Sequence, residues 1–219
     1  MSHAVIRSKR SPRARRPRWQ RRKDARPGEI VAAALELFVE RGYEATKLAD
    51  VARRAGVTKG TLYLYFDSKE ALFKAVVRET IVPVIAQGEA LAKSFAGSAR
   101  ELLEQLIREY WRLVGETSLA GIPKLMMAEA ATFPELTRFY YEEVVSRGQR
   151  LMGGVIERGI KSGEFRPVDV MLAAKLAISP LMHAASALRA FASCMPEGFD
   201  ARAYVDTHID LYLHGIANQ

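Results

Sequence analysis

Apolar positions recur along most of the chain at the three- and four-residue spacing of helices, and no stretch alternates with the period of a strand. Ile30, Ala34, Leu37 and Phe38 make a first stripe, which opens at Pro27, a favourable first-turn residue, and ends at Gly42. Leu48, Val51, Ala52 and Ala55 make a second, shorter stripe closed by Gly56. Thr58 then offers a hydroxyl to the free amides of a third helix starting near Lys59, on which Leu62 and Phe66 face inward together. Two helices joined by a short turn containing glycine form a helix-turn-helix.

After Phe66, Asp67 and Glu70 have the spacing of a capping box, with Phe66 placed to staple onto a helix running through Leu72, Phe73, Val76 and Val77. Pro83 predicts a kink or an end to that helix. Farther on, Ser98 and Glu101 form a second box ahead of Leu102, Leu103, Leu106, Tyr110, Leu113 and Val114. Pro134, Asp169 and the pair Pro196 and Gly198 delimit the remaining helices. The pattern predicts an all-α chain of about nine helices, three in a helix-turn-helix part and six in a larger bundle. The expected divisions are 1–26, a disordered basic arm; 27–73, the helix-turn-helix domain; and 74–219, the bundle.

Opposite Leu62 and Phe66, the third helix turns outward Gly60, Thr61, Tyr63 and Leu64, with Tyr65 at the edge. Solvated helices ordinarily carry Glu and Lys there, whereas this face offers hydroxyls, a bare glycine and aromatic rings, flanked by Lys59 and Lys69. Hydroxyls and helix amides hold phosphate, glycine admits a close backbone approach, and tyrosine packs on sugar or a thymine methyl. The face fits DNA.

Charge is unevenly placed. Residues 1–26 hold eleven Lys or Arg and one acid, for +10, whereas the remaining 193 residues hold 22 basic and 24 acidic side chains, for −2. A proline-broken basic tail of this kind suits phosphate neutralisation beside a DNA-reading motif. The lone Cys194 excludes an internal disulfide framework, and no apolar run reaches the length of a bilayer span, so a cytoplasmic protein is expected. Nucleophile-elbow, phosphate-loop, dinucleotide-binding and zinc-protease motifs are missing, and His208 and His214 are poorly spaced for one metal. Neither enzyme chemistry, a cofactor nor a metal is expected.

Residues 29–77, with the runs IVAAALELF, RGYEAT, GVTKGTLYLYF and SKEALF, resemble the DNA-binding domain of the TetR/AcrR family of bacterial transcriptional regulators. The resemblance implies a ligand-responsive regulator, most simply a repressor released from a palindromic operator by a small-molecule effector. It assigns DNA contacts to Thr46, Lys47, Thr58, Lys59, Gly60, Thr61, Tyr63, Tyr65 and Lys69, with Thr46 capping the second helix and Lys69 on phosphate. It also implies a homodimer through the last two helices, which are apolar over most of their circumference, and an effector cavity in the bundle. Tyr110, Trp111, Met126, Met127, Phe133, Phe139 and Tyr140 are the expected lining, with Glu129 or Arg138 to orient a ligand. Two alternatives stand beside it: a sequence-indifferent nucleic-acid binder working through the arginine tail, and an all-helical ligand-binding protein.

Overall fold

Several helix starts and stops in the structure are set by residues within one turn of them. The computed structural model describes residues 18–191, 194 and 200–218, with side chains from residue 27 on. The helices are α1 (Arg18–Arg41), α2 (Leu48–Arg54), α3 (Lys59–Tyr63), α4 (Lys69–Thr80), α5 (Val82–Ser94) and α6 (Ala99–Tyr110). They are followed by α7 (Gly121–Glu129), α8 (Pro134–Tyr140), α9 (Ser146–Ser162), α10 (Val170–Ala190) and α11 (Ala201–Ile216). A π turn, Trp111–Gly115, continues α6, and a second, Tyr141–Val145, joins α8 to α9. With α4 and α5 taken as one helix broken at Ile81, and α8 and α9 as one run through their π turn, the described residues make nine helical runs, as the periodicity predicts.

Thr58 caps α3 by accepting from the Thr61 amide, Asp169 caps α10, and Ser98 and Glu101 close the predicted box on α6. Gly42 and Gly56, at φ +86° and +66°, supply the left-handed backbone that ends α1 and separates α2 from α3.

Two local readings are corrected. The first helix begins at Arg18, so Pro27 lies inside it and residues 18–26 are helical rather than part of a disordered arm. Those nine residues are mostly Arg, Lys, Gln and Ala, strong helix formers, and Pro27 removes only one hydrogen bond from a long helix. The arm before Arg18 lies outside the described residues, as do Pro196 and Gly198. At α4 the cap is Ser68, whose hydroxyl accepts from the Ala71 amide at 3.0 Å. With the helix starting one residue later than expected, Glu70 no longer has the spacing to complete a box.

Two hydrophobic cores follow. The first gathers Ile30, Phe38, Val51, Leu62, Phe73 and Val77 from α1–α4 together with Ile122, Leu125, Leu136 and Tyr140 from α7 and α8. The helix-turn-helix therefore shares one close-packed interior with the base of the bundle. The second core packs Leu103, Ile107, Ile156, Ala177, Leu181, Ile209 and Leu213 from α6, α9, α10 and α11.

The join between α1 and α7 is tight: a Cβ on Gly121 would sit 2.5 Å and 2.7 Å from the two methyls of Val39. Valine has few rotamers with which to yield. Gly121→Ala is therefore expected to destabilise the fold by about 1–3 kcal/mol, seen as a melting temperature several degrees lower.

Contrary to the reading of the sequence, one helix, α10, is long and apolar enough by composition to cross a membrane. In the structure it is a bundle helix. Ala173, Ala174, Ala177, Leu181, Ala184 and Ala185 are buried against its neighbours, while Met171, Leu172 and Leu176 are exposed.

Candidate functional site

The α3 face is built as the sequence predicts. Leu62 and Phe66 are buried, which turns Tyr63, Leu64 and Tyr65 outward, with Leu64 82% exposed. Gly60 has open space where a Cβ would stand, with only the Thr58 hydroxyl nearby, at 3.8 Å. Thr58 and Thr61 hold their hydroxyls 2.9 Å apart, and the Lys59 ammonium lies 5.7 Å from the Tyr63 ring centre. Lys47 is an exposed cation at the start of α2. Arg53 and Arg54 are spent on Asp50, Glu36 and Glu40. An exposed patch of hydroxyls, aromatic rings and cations is able to bind phosphate and base edges together.

Thr46 and Lys69 do not belong to that patch as expected. Thr46 is 1% exposed, and its hydroxyl donates to the carbonyls of Leu37 at 3.1 Å and Gly42 at 2.7 Å. It pins the turn from inside, and α2 has no side-chain cap. Lys69 donates to the carbonyls of Tyr43 at 2.8 Å and Glu44 at 2.9 Å, and its ammonium lies 4.6 Å from the Tyr43 ring centre. Burial lowers its pKa, against the opposing pull of Glu129 and Glu44. A cation on the first turn of α4 opposes the helix dipole, and backbone carbonyls take the compensating role assigned to phosphate.

The same turn is held from the other side by the bundle. Glu129, at the end of α7, accepts through one oxygen from the amides of Tyr43 at 3.1 Å and Glu44 at 3.2 Å. Tyr43 itself packs against Phe38, Phe73 and Phe133. Glu129 thus ties the turn entering α2 to the bundle instead of orienting a ligand, and exposed Arg138 does not line the cavity.

That cavity, about 590 Å³, opens between α5, α6, α7, α8, α9 and α10. Its volume is that of a small-molecule site. Tyr110, Met126, Met127 and Tyr140 line it, whereas Trp111, Phe133 and Phe139 do not. Trp111 is buried in the second core, Phe133 meets Tyr43 edge-on, and Phe139 lies under the cations of Lys74 and Arg78. The sequence reading missed the apolar wall given by Ile85, Leu91, Val144 and Ile178. Among the described residues no cluster of three or more His, Cys, Asp or Glu side chains is suited to a metal.

Residues 30–76 match the family model described as bacterial regulatory proteins, tetR family. Residues 101–215 match that of the AefR-like transcriptional repressor, C-terminal domain. The chain belongs to the TetR family. It is 30% identical over 149 residues to the fatty acid metabolism regulator protein of Bacillus subtilis, covering 68% of this chain and 75% of that one. It is 32% identical over 153 residues to the transcriptional repressor KstR2 of Rhodococcus jostii, covering 69% and 74%. The crystal structure of FadR from Bacillus subtilis in complex with stearoyl-CoA superposes with a TM-score of 0.73 at 24% identity, over 86% of this chain and 98% of that one.

As a TetR-family member the chain is a DNA-binding transcriptional regulator, and the family is not one of enzymes. The first match spans α2, α3 and most of α4, and the second spans the helices that surround the cavity from α6 onward.

Proposed function

We propose that this TetR-family chain is a cytoplasmic homodimeric repressor that holds a palindromic operator and releases it when an apolar effector enters the bundle cavity. One observation carries the ligand response: α7 lines the cavity with Met126 and Met127 and reaches the helix-turn-helix through Glu129. A molecule that displaces Met126 shifts the end of α7, and with it the turn leading into α2. Packed interfaces move between discrete arrangements, so a small shift there re-aims the reading helix. Thr58, Lys59, Gly60, Thr61, Tyr63 and Tyr65 contact the operator, and Lys47 contributes to the phosphate side.

Pairing rests on Met171, Leu172 and Leu176 of α10 and Leu211 of α11, large apolar residues left exposed on the last two helices. A twofold dimer sets two α3 faces about one DNA turn apart, and one short helix alone reads weakly. Leu172→Arg with Leu176→Arg is expected to give a monomer by analytical ultracentrifugation and to weaken operator binding by about a hundredfold or more. A variant still dimeric with full operator affinity places the interface elsewhere.

Selection of operator sequences from random DNA by the purified protein, repeated with effector-like lipids present, tests the whole reading. Recovery of a palindrome that lipids release is expected; recovery of unrelated sequences overturns it.

A further inference from the structure

We propose that the cavity holds a long apolar molecule through one uncharged carbonyl oxygen, which accepts hydrogen bonds from the hydroxyls of Tyr140 and Tyr110. This rests on the cavity being the effector site.

Both tyrosines line the cavity, and Tyr140 is only 8% exposed. Among the described residues neither hydroxyl has a hydrogen-bond partner. Among the described residues Trp111 Nε1 is the one fully enclosed polar side-chain atom without a partner, so the two tyrosine hydroxyls, on residues that line the cavity, keep accessible surface. An apolar molecule that fills this space displaces the water these hydroxyls would otherwise bond, and a hydroxyl left without a partner is destabilising, so the occupant must bring an acceptor to them.

The backbone singles out the same two residues. Tyr110 is the last residue of α6 before the π turn Trp111–Gly115, and Tyr140 is the last of α8 before the π turn Tyr141–Val145. Leu113, Val114, Val144 and Val145, from the turns themselves, continue the cavity wall. π turns are rare insertions that recur at functional sites. Here each follows immediately on a tyrosine of the pair.

Charge selects the functional group. Burial raises the Tyr110 pKa to about 12, and burial together with the neighbouring Tyr110 raises that of Tyr140 as well, so both are neutral donors at physiological pH. The cation in the lining, Lys175, is exposed on α10; Glu109 is paired with Arg112, and the Thr137 hydroxyl already donates to the Phe133 carbonyl. A carboxylate at the tyrosines would meet only neutral donors there, while the cation of the lining stays exposed to solvent, so its desolvation is costly. An ester, thioester or ketone carries the acceptor without the charge.

Calorimetric titration of the full-length protein separates these chemistries. The ligands are methyl hexadecanoate, hexadecanoate, hexadecane and the polycyclic ketone progesterone, each delivered from cyclodextrin. A neutral carbonyl compound is expected to bind at least about tenfold tighter than the carboxylate or the hydrocarbon. Preference for the ester assigns acyl compounds, and preference for progesterone assigns polycyclic ketones. Tyr110→Phe with Tyr140→Phe keeps both rings, and is expected to remove that advantage while leaving hexadecane binding unchanged.

Tighter binding of the carboxylate, an undiminished carbonyl advantage in the double Phe variant, or no binding of any carbonyl probe overturns the proposal. Operator binding is measured in parallel. Carbonyl binding that depends on the tyrosines but leaves the operator bound overturns the effector reading and keeps the clamp.

Discussion

Tyr63→Ala is expected to erase most of the preference for operator over random DNA while leaving the fold intact. The ring is 43% exposed and stands on the outward face beside Thr61 and Gly60, so its removal opens no cavity. Leu62 and Phe66, which fix the helix to the core, are untouched. A lost base-edge contact costs about 1–3 kcal/mol of discrimination, and two half-sites double that on a dimer. The ratio of specific to random affinity should fall at least about tenfold, with random-DNA affinity changed by less than about threefold. Fluorescence anisotropy at one fixed salt concentration reads both. Lys59→Ala provides the contrast, weakening both substrates alike and lowering the salt slope by about one per reading head. An unchanged ratio in Tyr63→Ala would mean that α3 does not read the sequence.

The features legible in the sequence are those whose cause lies within a turn of the residue concerned. Gly42, Gly56, the Thr58 cap and the Ser98–Glu101 box are local, and each occurs where the pattern puts it. Thr46, Lys69 and Glu129 were misread because each has a partner well beyond one helical turn, at Leu37, Tyr43 and Tyr43, which lie 9, 26 and 86 residues away in the chain. A threonine ahead of a helix looks the same whether its hydroxyl turns out to cap or in to tie a loop.

The aromatic residues make the same point. Phe133, Phe139 and Tyr140 occupy one short stretch, yet one packs on Tyr43, one lies under Lys74 and Arg78, and one faces the cavity. The π turn after Tyr140 changes the rotation of all that follows, and helical periodicity cannot register it. Ser68 rather than Asp67 caps α4, and since both residue types are good caps the spacing alone does not choose between them.

Glu129→Ala is expected to leave effector binding intact and to abolish most of the effector's influence on DNA. The carboxylate is the polar tie between a cavity-lining helix and the turn before α2, receiving two backbone amides on one oxygen. Lys69 grips the carbonyls of the same two residues, so the turn is clamped by one acid from the bundle and one base from α4. Alanine releases the bundle's hold while Lys69 keeps the turn folded, and the stability loss should stay within about 1–3 kcal/mol.

Effector coupling in such systems amounts to about 1–3 kcal/mol, or about five- to 150-fold in affinity. In Glu129→Ala the effector-induced fall in operator affinity should shrink to less than about threefold, and by linkage the operator should equally cease to weaken effector binding. Glu129→Gln retains the accepting oxygen and should keep most of the response, which separates the hydrogen bonds from the charge. Titrating effector against preformed operator complex, and operator against preformed effector complex, measures the coupling from both directions. If full release persists in Glu129→Ala, the signal travels through the shared apolar core of Ile122, Leu125 and Leu136 instead.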